Sequence, residues 1–486
     1  MNEKSYLGNA PSTLIEILSW RADEQPKEPV YTFLADKDLA QTYLTYFELN
    51  SKARAIAAAL QACKAQGERA LLLYPPGLEF IVAFFACLYS GVVAVPVYPP
   101  DPMRLNRTLN RFLAIANDAQ PMVGLTTSTI LPLIEYSLQE ITELKNIQWF
   151  ATDKISTEMA AEWQSVNIKK DTLAFLQYTS GSTSSPKGVM LTHENLLHNS
   201  TLIHQFFQTD SNSKGVIWLP TYHDMGLIGG ILQPLYKGFP VTLMSPITFL
   251  QRPLRWLQAI SRTQATISGG PNFAYDLCVR KISEEEKASL DLSSWRLAFN
   301  GAEPIRSETM ARFSQAFAVC GFRAEAFYPC YGLAEATLIV SGGSKTATPI
   351  INKIDGALFE YHKVITTDKH EAITVVGCGR CDQSQRILIV DTETLTVCLP
   401  DRVGEIWVSG PSVAQGYWQK PLENDKVFNA FTDNGEGPFL RTGDLGFIKD
   451  GELFVTGRLK DLIIIRGRNY YPQDIEWTIE QNQSSV

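Results

Sequence analysis

Long apolar runs are missing from this sequence of 486 residues. No stretch reaches the ~18 consecutive apolar residues that a membrane-spanning helix requires. The two most apolar candidates, residues 80–89 and 92–97, are separated by Ser90 and Gly91. The first residues also lack the apolar centre of a signal peptide. We therefore expect a cytoplasmic protein that has no membrane span.

An excess of basic residues is missing as well. The chain has 43 Lys and Arg against 51 Asp and Glu, which gives a net charge of −8. This balance argues against a general nucleic-acid-binding protein, whose contact surface would be basic. A hydrophobic fraction of 45% and a charged fraction of 19% are typical of globular proteins. A chain of this length is expected to contain more than one domain or subdomain.

A second C-x-x-C motif, which could complete a metal site with the first, is also lacking. The eight cysteines are scattered along the chain, and only Cys378 and Cys381 form a C-x-x-C motif. A zinc site of this kind would need a second pair of ligands, and neither His362 nor His370 has a matching spacing. This pattern favours free thiols in a reducing compartment over a metal or redox site.

A loop between Tyr178 and Gly188 is the most informative segment of the sequence. It follows the apolar run 173–176, which predicts a buried strand. It contains six Ser or Thr hydroxyls and Lys187 but no acidic residue, so it can surround an anion such as triphosphate. A Walker loop would end in Gly-Lys-Ser or Gly-Lys-Thr, whereas Pro186 and Gly188 flank this lysine. The alternative is a flexible linker, but linkers are usually not attached to a strand.

Four further motifs follow this loop in order. They are WLPTYHDMG at 218–226, FNGAEP at 299–304, YPCYGLAEAT at 328–337, and a region from RTGD at 441 to GRLKD at 461. Together with the loop, they resemble the signatures of the adenylate-forming enzymes, which include acyl-CoA synthetases, luciferases and the adenylation domains of peptide synthetases. The sequences of the YHDMGL and YGLAEAT segments resemble those of one branch of these enzymes, the fatty acyl-AMP ligases.

Helix and strand signals alternate in the first 170 residues. Helices are predicted at 51–60 and 77–88, and short strands at 70–74 and 92–98. Alternation of this kind predicts an α/β fold with sheets covered on both faces. Further along, Asp450-Gly451 between two apolar segments predicts a β-hairpin, and residues 462–465 predict another strand.

The resemblance implies a specific domain organisation. We expect a large N-terminal adenylation domain at residues 1–458, with two αβα-layered sheets and a small β-rich subdomain. Residues 459–486 would form the hinge and the start of a small α+β C-terminal domain. Such domains have roughly a hundred residues, so the sequence would end inside this one. The family's catalytic lysine near the end of that domain has no counterpart, and we expect slow adenylation and still slower transfer.

Residues 341–374 interrupt the alternation of helices and strands. The segment is polar but includes apolar residues at 354, 358, 359 and 361. Fatty acyl-AMP ligases carry an insertion at this point, and the resemblance places it at about residues 345–375. The alternative is an ordinary variable surface loop.

The reaction implied by the resemblance joins a carboxylate to ATP and gives an acyl-adenylate and pyrophosphate. Two anions must come together, so catalysis is mainly positioning and charge neutralisation. Lys187, His223 and Glu335 are the candidate catalytic residues, and Glu335 would bind Mg²⁺. The residues expected to bind the phosphates are Thr179, Ser180, Gly181, Ser182, Thr183 and Lys187.

The other parts of ATP and the fatty acid are assigned in the same way. Adenine would lie against Gly301, Ala302, Glu303, Tyr331 and Gly332, and the ribose hydroxyls would contact Asp444 and Arg458. Lys460 matches the hinge position. His223 and Asp224 would lie beside the acyl carboxylate, although a structural histidine is the alternative. An apolar tunnel would be lined by Met225, Ile228, Ile231, Phe273 and Leu277, each of which could equally belong to the core.

The resemblance therefore favours a fatty acyl-AMP ligase that uses ATP and Mg²⁺. It would activate a medium- or long-chain fatty acid and pass it to a holo acyl carrier protein or a downstream polyketide or peptide synthase, and we expect a monomer. The closest alternative is a fatty acyl-CoA ligase, which shares the first step. An amino-acid adenylation domain is disfavoured because HDMG replaces the acidic residue that holds an α-ammonium group. A nucleotide-binding module that is inactive without the rest of the C-terminal domain is the alternative of another class.

Overall fold

The computed structural model of the chain describes residues 11–35, 41–98, 105–138, 144–179, 186–345, 347–369, 372–465, 468–472, 475–476 and 479. The chain divides into two compact units. Unit 1 comprises Met1–His204, Thr209–Gln251 and Ala414–Lys420, and unit 2 comprises Gln205–Gln208, Arg252–Val413 and Pro421–Val486.

Unit 1 alternates strands and helices from its first described residues. Its strands are β1 (Pro29–Leu34), β2 (Gln41–Thr45), β3 (Arg69–Leu73), β4 (Val93–Val97), β5 (Val123–Thr126), β6 (Gln148–Ala151), β7 (Leu173–Thr179), β8 (Lys187–Thr192), β9 (Gly215–Ile217) and β10 (Val241–Met244). Its helices are α1 (Leu14–Glu24), α2 (Tyr46–Ala62), α3 (Glu79–Ser90), α4 (Leu105–Ala119), α5 (Leu131–Leu138), α6 (His193–Phe207), a π-helix (Met225–Leu232), α7 (Gln233–Lys237) and α8 (Pro246–Gln251).

The main sheet of unit 1 has six strands in the order β6-β5-β3-β4-β7-β8. Its pairings are parallel except for the antiparallel pair β7 and β8. A second set of neighbouring strands runs β9-β10-β1-β2, and only β1 and β2 are antiparallel there. Because β7 and β8 form a hairpin at the edge of the main sheet, Thr179 and Lys187 lie next to each other on paired strands.

The helices of unit 1 follow from local sequence chemistry. Thr45 and Glu48 form a capping box at the start of α2, in which each side chain accepts a hydrogen bond from the other residue's backbone. Helix α3 is apolar on all sides and almost entirely buried, as expected for a helix inside a large core. It ends at Gly91, whose φ of 67° is readily adopted by glycine.

Unit 2 combines a parallel sheet with antiparallel β structure. Its helices are α9 (Leu254–Thr263), α10 (Asn272–Lys281), α11 (Glu284–Lys287), α12 (Ser307–Phe317), α13 (Gly356–Phe359) and α14 (Pro421–Phe428). Its strands are β11 (Ile267–Gly270), β12 (Leu297–Asn300), β13 (Phe327–Gly332), β14 (Ile339–Gly342), β15 (Ile351–Asp355), β16 (Ala372–Val376), β17 (Arg386–Val390), β18 (Gly404–Ser409), β19 (Leu440–Lys449), β20 (Glu452–Arg458), β21 (Ile463–Ile465) and β22 (Arg468–Tyr470).

The strands of unit 2 form separate groups. β11, β12 and β13 are parallel neighbours, and β14 adds antiparallel to β13. β17-β18-β19-β20 is an antiparallel sheet of four strands. Aromatic side chains fill the core beside the parallel strands, with Trp295 in ring contact with Trp256, Tyr275, Phe313 and Phe322.

The segment predicted as an insertion forms a small hairpin with its own helical turn. β15 and β16 pair antiparallel, and α13 follows β15. Ile354, Phe359 and Val364 of this segment share one apolar cluster with residues of β19 and β20 and with Tyr471. The rings of Phe359 and Tyr471 stack with centroids 5.3 Å apart. The segment therefore contributes to the core of unit 2, to which it belongs. Its origin as an insertion stays a prediction.

The structure confirms the predicted elements. The expected helices and strands of the first 170 residues correspond to α2, β3, α3 and β4, the hairpin at residues 450–451 joins β19 to β20, and the last expected strand is β21. The eight cysteines are free thiols. Within the described ranges, no helix combines the length and the apolar character needed to cross a membrane. The predicted domain boundary after residue 458 stays a prediction.

We predict that Phe359→Ala lowers the free energy of unfolding by about 3 kcal/mol, because it removes a buried aromatic ring from a packed cluster. The matched control is Ile365→Ala in the same segment, whose side chain is 46% exposed and whose truncation should cost less than about 1 kcal/mol. Urea unfolding and hydrogen exchange of the β15–β16 amides would measure both. Equal effects of the two variants would contradict the packing described for this segment.

Candidate functional site

The hairpin of β7 and β8 carries the predicted phosphate loop. Thr179 is paired with Lys187 at the end of the hairpin next to the connecting loop, and Tyr178 is paired with Gly188 one step further from that loop. The predicted phosphate ligands Ser180, Gly181, Ser182 and Thr183 lie outside the described residues. The structure therefore places the two ends of the loop, Thr179 and Lys187, next to each other on neighbouring strands.

The Lys187 side chain lies beside an aromatic ring from a distant part of the sequence. Its Nζ is 4.9 Å from the centroid of the Tyr417 ring, a distance at which a cation is attracted to the face of the ring. The segment Ala414–Lys420 that carries Tyr417 belongs to unit 1 and runs next to β8. The sequence motifs did not single out this tyrosine.

Asp118 connects the same two parts of unit 1. Its carboxylate accepts a hydrogen bond of 2.7 Å from the Tyr178 hydroxyl and one of 2.6 Å from Lys420 Nζ. Burial and the neighbouring Asp118 carboxylate raise the pKa of Tyr178. Sequence reasoning missed Asp118 and Lys420 because no local motif contains either residue, and only the fold brings them together.

His223 and Asp224 form an ion pair between adjacent residues. His223 Nδ1 is 2.6 Å from Asp224 Oδ1, and the His223 side chain is 53% exposed whereas that of Asp224 is 11% exposed. The Asp224 charge raises the pKa of His223 above its ordinary value. Burial alone would raise the pKa of Asp224, but His223 and the Met225 amide lower it overall. The pair can thus present a histidinium at the surface of a partly buried site.

A π-helix follows this pair directly. The Met225 amide donates to Asp224 Oδ1 over 2.7 Å, which caps the start of the π-helix. A Cβ at Gly226 would collide with the carbonyl oxygen of Pro220, so only glycine fits this close approach. π-helices are rare and are often found at functional sites.

The residues predicted to line an acyl tunnel fall in both units. Ile228 and Ile231 are fully buried in the π-helix of unit 1, and Met225 is half-buried. In unit 2, Phe273 on α10 is 39% exposed, and Leu277 is half-buried. Two of the five predicted tunnel residues therefore belong to the core, and the side chains of the other three are at least partly accessible. The tunnel itself stays a prediction.

The predicted adenine-binding turn follows β12 in unit 2. A Cβ at Gly301 would lie 2.9 Å from the Cys330 carbonyl oxygen, so this turn approaches β13 through its bare backbone. Ala302 has a φ of 69°, which is uncommon for a residue with a side chain. Glu303 Oε1 accepts a 2.5 Å hydrogen bond from the Phe273 amide. The turn is thereby tied to the first residues of α10.

Tyr331 and Asp444 of unit 2 are in direct contact. The Tyr331 hydroxyl donates to Asp444 Oδ2 over 2.8 Å, and Arg458 Nε lies 3.4 Å from Asp444 Oδ1. Asp444 and Arg458 are opposite each other on β19 and β20. Burial raises the pKa of Asp444 above its ordinary value, although Tyr331 and Arg458 both favour the charged form. The structure thus brings together Tyr331 of one predicted motif with Asp444 and Arg458 of another.

The other predicted residues lie at the ends of the same elements. Gly332 is the last residue of β13, and Glu335 follows in a short 3-10 helix, Ala334–Ala336, where it is half-buried. Lys460 is exposed in the 3-10 helix Leu459–Asp461, directly after β20. No group of three or more His, Cys, Asp or Glu side chains arranged to hold a metal occurs in the part of the chain that the structure describes.

We predict that Asp224→Asn lowers the pKa of His223, because it removes the charge that raises it. A raised pKa means that the pair stabilises the fold fully below pH 6.5, the ordinary His value, and that this contribution is lost as the pH rises through the raised pKa. NMR titration of the histidine C–H signals would measure the change, and the spectrum of His223→Asn assigns the signal.

His193 provides an internal control for this titration. It is buried at the start of α6, its Nδ1 accepts a hydrogen bond from the Leu14 amide, and burial lowers its pKa to about 4. The Asp224→Asn change should leave this value unaltered. An unchanged pKa of His223 in the variant would contradict the ion pair.

Comparisons with known proteins cover nearly the whole chain. Residues 18–418 match the AMP-binding enzyme family. The chain is 51% identical over 481 residues to the medium-chain-fatty-acid acyl-carrier-protein ligase JamA of Moorena producens, a match that spans 98% of this chain and 81% of the relative. It is 36% identical over 521 residues to a ligase of the same description, TtuA of Teredinibacter turnerae, with 98% and 80% covered.

A solved structure shows the same fold. It is the crystal structure of the fatty acyl-adenylate ligase from Legionella pneumophila in complex with acyl adenylate and pyrophosphate, with a TM-score of 0.88 and 45% identity, and the match covers 99% of this chain and 82% of that one. These similarities confirm the predicted α/β adenylate-forming fold and the resemblance to fatty acyl-AMP ligases. The chain belongs to the AMP-binding enzyme family.

Proposed function

We propose that this chain is an ATP-dependent fatty acyl-AMP ligase that activates a medium- or long-chain fatty acid. The observation that carries this proposal is the 51% identity to a medium-chain fatty-acid ligase over 98% of the chain. The carboxylate oxygen attacks the α-phosphorus of ATP, the bond between that phosphorus and the bridging oxygen to the β-phosphate breaks, and pyrophosphate leaves. The products are the acyl-adenylate and pyrophosphate.

The chain's own residues would hold the two anions together. Lys187 at the end of the β7–β8 hairpin would bind the β- and γ-phosphates with Thr179, Ser180, Gly181, Ser182 and Thr183. His223, whose pKa the Asp224 charge raises, would lie beside the acyl carboxylate as a positive charge. Neutralising charge in a preorganised site is the main source of catalysis in such reactions.

The nucleoside would be held by unit 2. Gly301, Ala302 and Glu303 would lie against adenine with Tyr331 and Gly332. Asp444 is a buried carboxylate whose pKa is raised, so it gains from every further hydrogen bond that it accepts. The two ribose hydroxyls would supply two such bonds, and Arg458 would add a contact on the same side.

One carboxylate in this part of the chain is suited to Mg²⁺. Glu335 lies in the 3-10 helix Ala334–Ala336 that follows β13, and Mg²⁺ usually takes one or two protein carboxylates and completes its shell with phosphate oxygens and water. We propose that Glu335 holds the ion, which when bound would neutralise charge on the phosphates. Lys460 would serve as the hinge residue.

The acceptor that we propose is the thiol of a holo acyl carrier protein. Support comes from the segment that contains β15 and β16, which contacts residues beyond Lys460. Glu360 accepts hydrogen bonds of 2.9 and 3.0 Å at its carbonyl oxygen from the Asn469 backbone and side chain. Its carboxylate lies 3.5 Å from Arg468. These contacts would oppose the rotation of the residues after the hinge that the use of free CoA requires.

We also propose a cytoplasmic, monomeric protein. Its eight cysteines are free thiols, as expected in a reducing compartment. Size-exclusion chromatography with light scattering would test the monomer, and a dimer at micromolar concentration would contradict it.

The proposed reaction predicts pyrophosphate release that depends on both ATP and a fatty acid. A screen of fatty acids of increasing chain length, with the acyl-adenylate identified by mass spectrometry, measures it. We expect the highest rate with medium or long chains and no release with amino acids. Release that is independent of the fatty acid, or ATP binding without any adenylate, would contradict the proposal and support a nucleotide-binding module.

We predict that Asp444→Ala raises KM for ATP about 10- to 100-fold and leaves KM for the fatty acid nearly unchanged. The change removes the proposed hydrogen bonds from the ribose hydroxyls to the charged carboxylate, each worth about 1.5–3 kcal/mol. These bonds would form in both the ground state and the transition state, so their loss affects KM. Asp433→Ala, at an exposed aspartate in the loop before β19, is the control. An effect confined to KM for the fatty acid would remove Asp444 from the nucleotide site.

A further inference from the structure

The segment Ala414–Lys420 lies alongside β8 and extends the β7–β8 hairpin. The Met190 amide donates to the Gly416 carbonyl over 2.9 Å, and the Trp418 amide donates to the Gly188 carbonyl over 2.8 Å. Val189 and Tyr417 form an antiparallel bridge between these bonds. The backbone of this segment is therefore fixed in register with the strand on which Lys187 is the first residue.

Tyr417 is placed by this register against Lys187. The tyrosine is 6% exposed, and its ring centroid lies 4.9 Å from Lys187 Nζ. A buried ring of this kind has few alternative positions, whereas a lysine side chain loses considerable conformational entropy when it is held in one place. The ring thus restricts the positions of the ammonium group before any ligand binds.

A polar anchor fixes the end of the same segment. Lys420 Nζ is bound to Asp118 Oδ1 over 2.6 Å, and the other carboxylate oxygen of Asp118 accepts from Tyr178 on β7. Because the Asp118 side chain is only 10% exposed, solvent screens this contact weakly. β7, α4 and the segment are joined at one carboxylate, so the segment cannot slide along β8 without breaking the short Lys420–Asp118 contact.

We propose that Tyr417 is a positioning residue that holds the Lys187 ammonium in place for the β- and γ-phosphates of ATP, with the Asp118–Lys420 contact as its anchor. The inference rests on the proposed function of Lys187. It predicts discrimination between nucleotides, because Lys187 would contact phosphates that ATP has and AMP lacks. Loss of the ring should weaken ATP binding and leave AMP binding as it is.

The test is calorimetric titration of the chain with ATP and, separately, with AMP, both with Mg²⁺ and without fatty acid. Tyr417→Leu removes the ring and should weaken ATP binding about 3- to 30-fold, the range of a cation–π contact. AMP affinity should change less than about 2-fold. Tyr417→Phe keeps the aromatic face and should bind both nucleotides as the unaltered chain does. Thermal unfolding of each variant shows whether the fold is retained.

A double-variant comparison separates this inference from the proposed function. Lys187→Ala should weaken ATP binding and lower kcat/KM about 30- to 1000-fold, and Tyr417→Leu in the same chain should then add less than about 2-fold. If Lys187→Ala leaves ATP binding intact, the proposed role of Lys187 fails. If Lys187→Ala weakens ATP binding but Tyr417→Leu does not, only the positioning role is overturned.

Equal weakening of ATP and AMP by Tyr417→Leu would also overturn the inference, since it would indicate a general structural effect. If that variant does not fold, Lys420→Met replaces it, because Lys420 is 37% exposed and the change leaves the ring in the chain. It should weaken ATP binding in the same direction, by about 2- to 5-fold. Unchanged ATP binding in this folded variant would contradict the anchor.

Discussion

The buried carboxylate of Asp444 imposes an electrostatic constraint on the arrangement of strands in unit 2. A charge that is largely removed from water needs partners, and Asp444 finds them on β13 and β20 through Tyr331 and Arg458. The parallel strands and the antiparallel sheet of this unit must therefore meet at one point. The same burial raises the pKa of Asp444, so a ligand that donates hydrogen bonds to it would stabilise both the charge and the arrangement of the strands.

Unit 1 places its charged groups by a different route. Lys187 and Tyr178 sit on paired strands, and Asp118 links that hairpin to the segment ending at Lys420. Backbone hydrogen bonds between the segment and β8, together with the short Asp118–Lys420 ion pair, fix the positions of these groups. Such rigidity suits a reaction between two anions, since the positive groups must be in place before the charges approach each other.

The segment at 345–375 shows how packing can restrict a later part of the chain. Phe359 stacks on Tyr471, and the Glu360 carbonyl accepts both donors of Asn469. These contacts lie beyond the predicted hinge at Lys460. An apolar contact and two hydrogen bonds together would have to be broken for these residues to turn, which is a barrier that a loop without a packed core would lack.

The sequence predicted secondary-structure elements well where the signal is local. Strand β3, helix α3 and strand β4 follow from apolar runs with turn residues between them, and the β19–β20 hairpin follows from Asp-Gly. The π-helix at 225–232 was not predicted, because an apolar run with glycines does not distinguish its periodicity from that of an α-helix. The hairpin of β15 and β16 was not predicted, because its sequence was recognised only as a polar segment that interrupts the alternation of helices and strands.

Contacts between distant residues were not predictable from one sequence. Asp118 and Lys420 are 302 positions apart, and neither belongs to a motif. Tyr417 carries no chemical signal of its own, since a buried tyrosine is common in any core. The contact of Tyr331 with Asp444 joins two motifs that were recognised separately, and only the fold shows that they share a hydrogen bond.

We propose that the chain forms an acyl-adenylate and transfers the acyl group to a carrier protein in preference to CoA. The most direct measurement supplies a fatty acid, Mg-ATP, a holo acyl carrier protein and free CoA at equal thiol concentration, and quantifies both thioesters by mass spectrometry. We expect acylated carrier protein as the main thioester and little acyl-CoA. Acyl-CoA as the main product would contradict it and identify the chain as an acyl-CoA ligase.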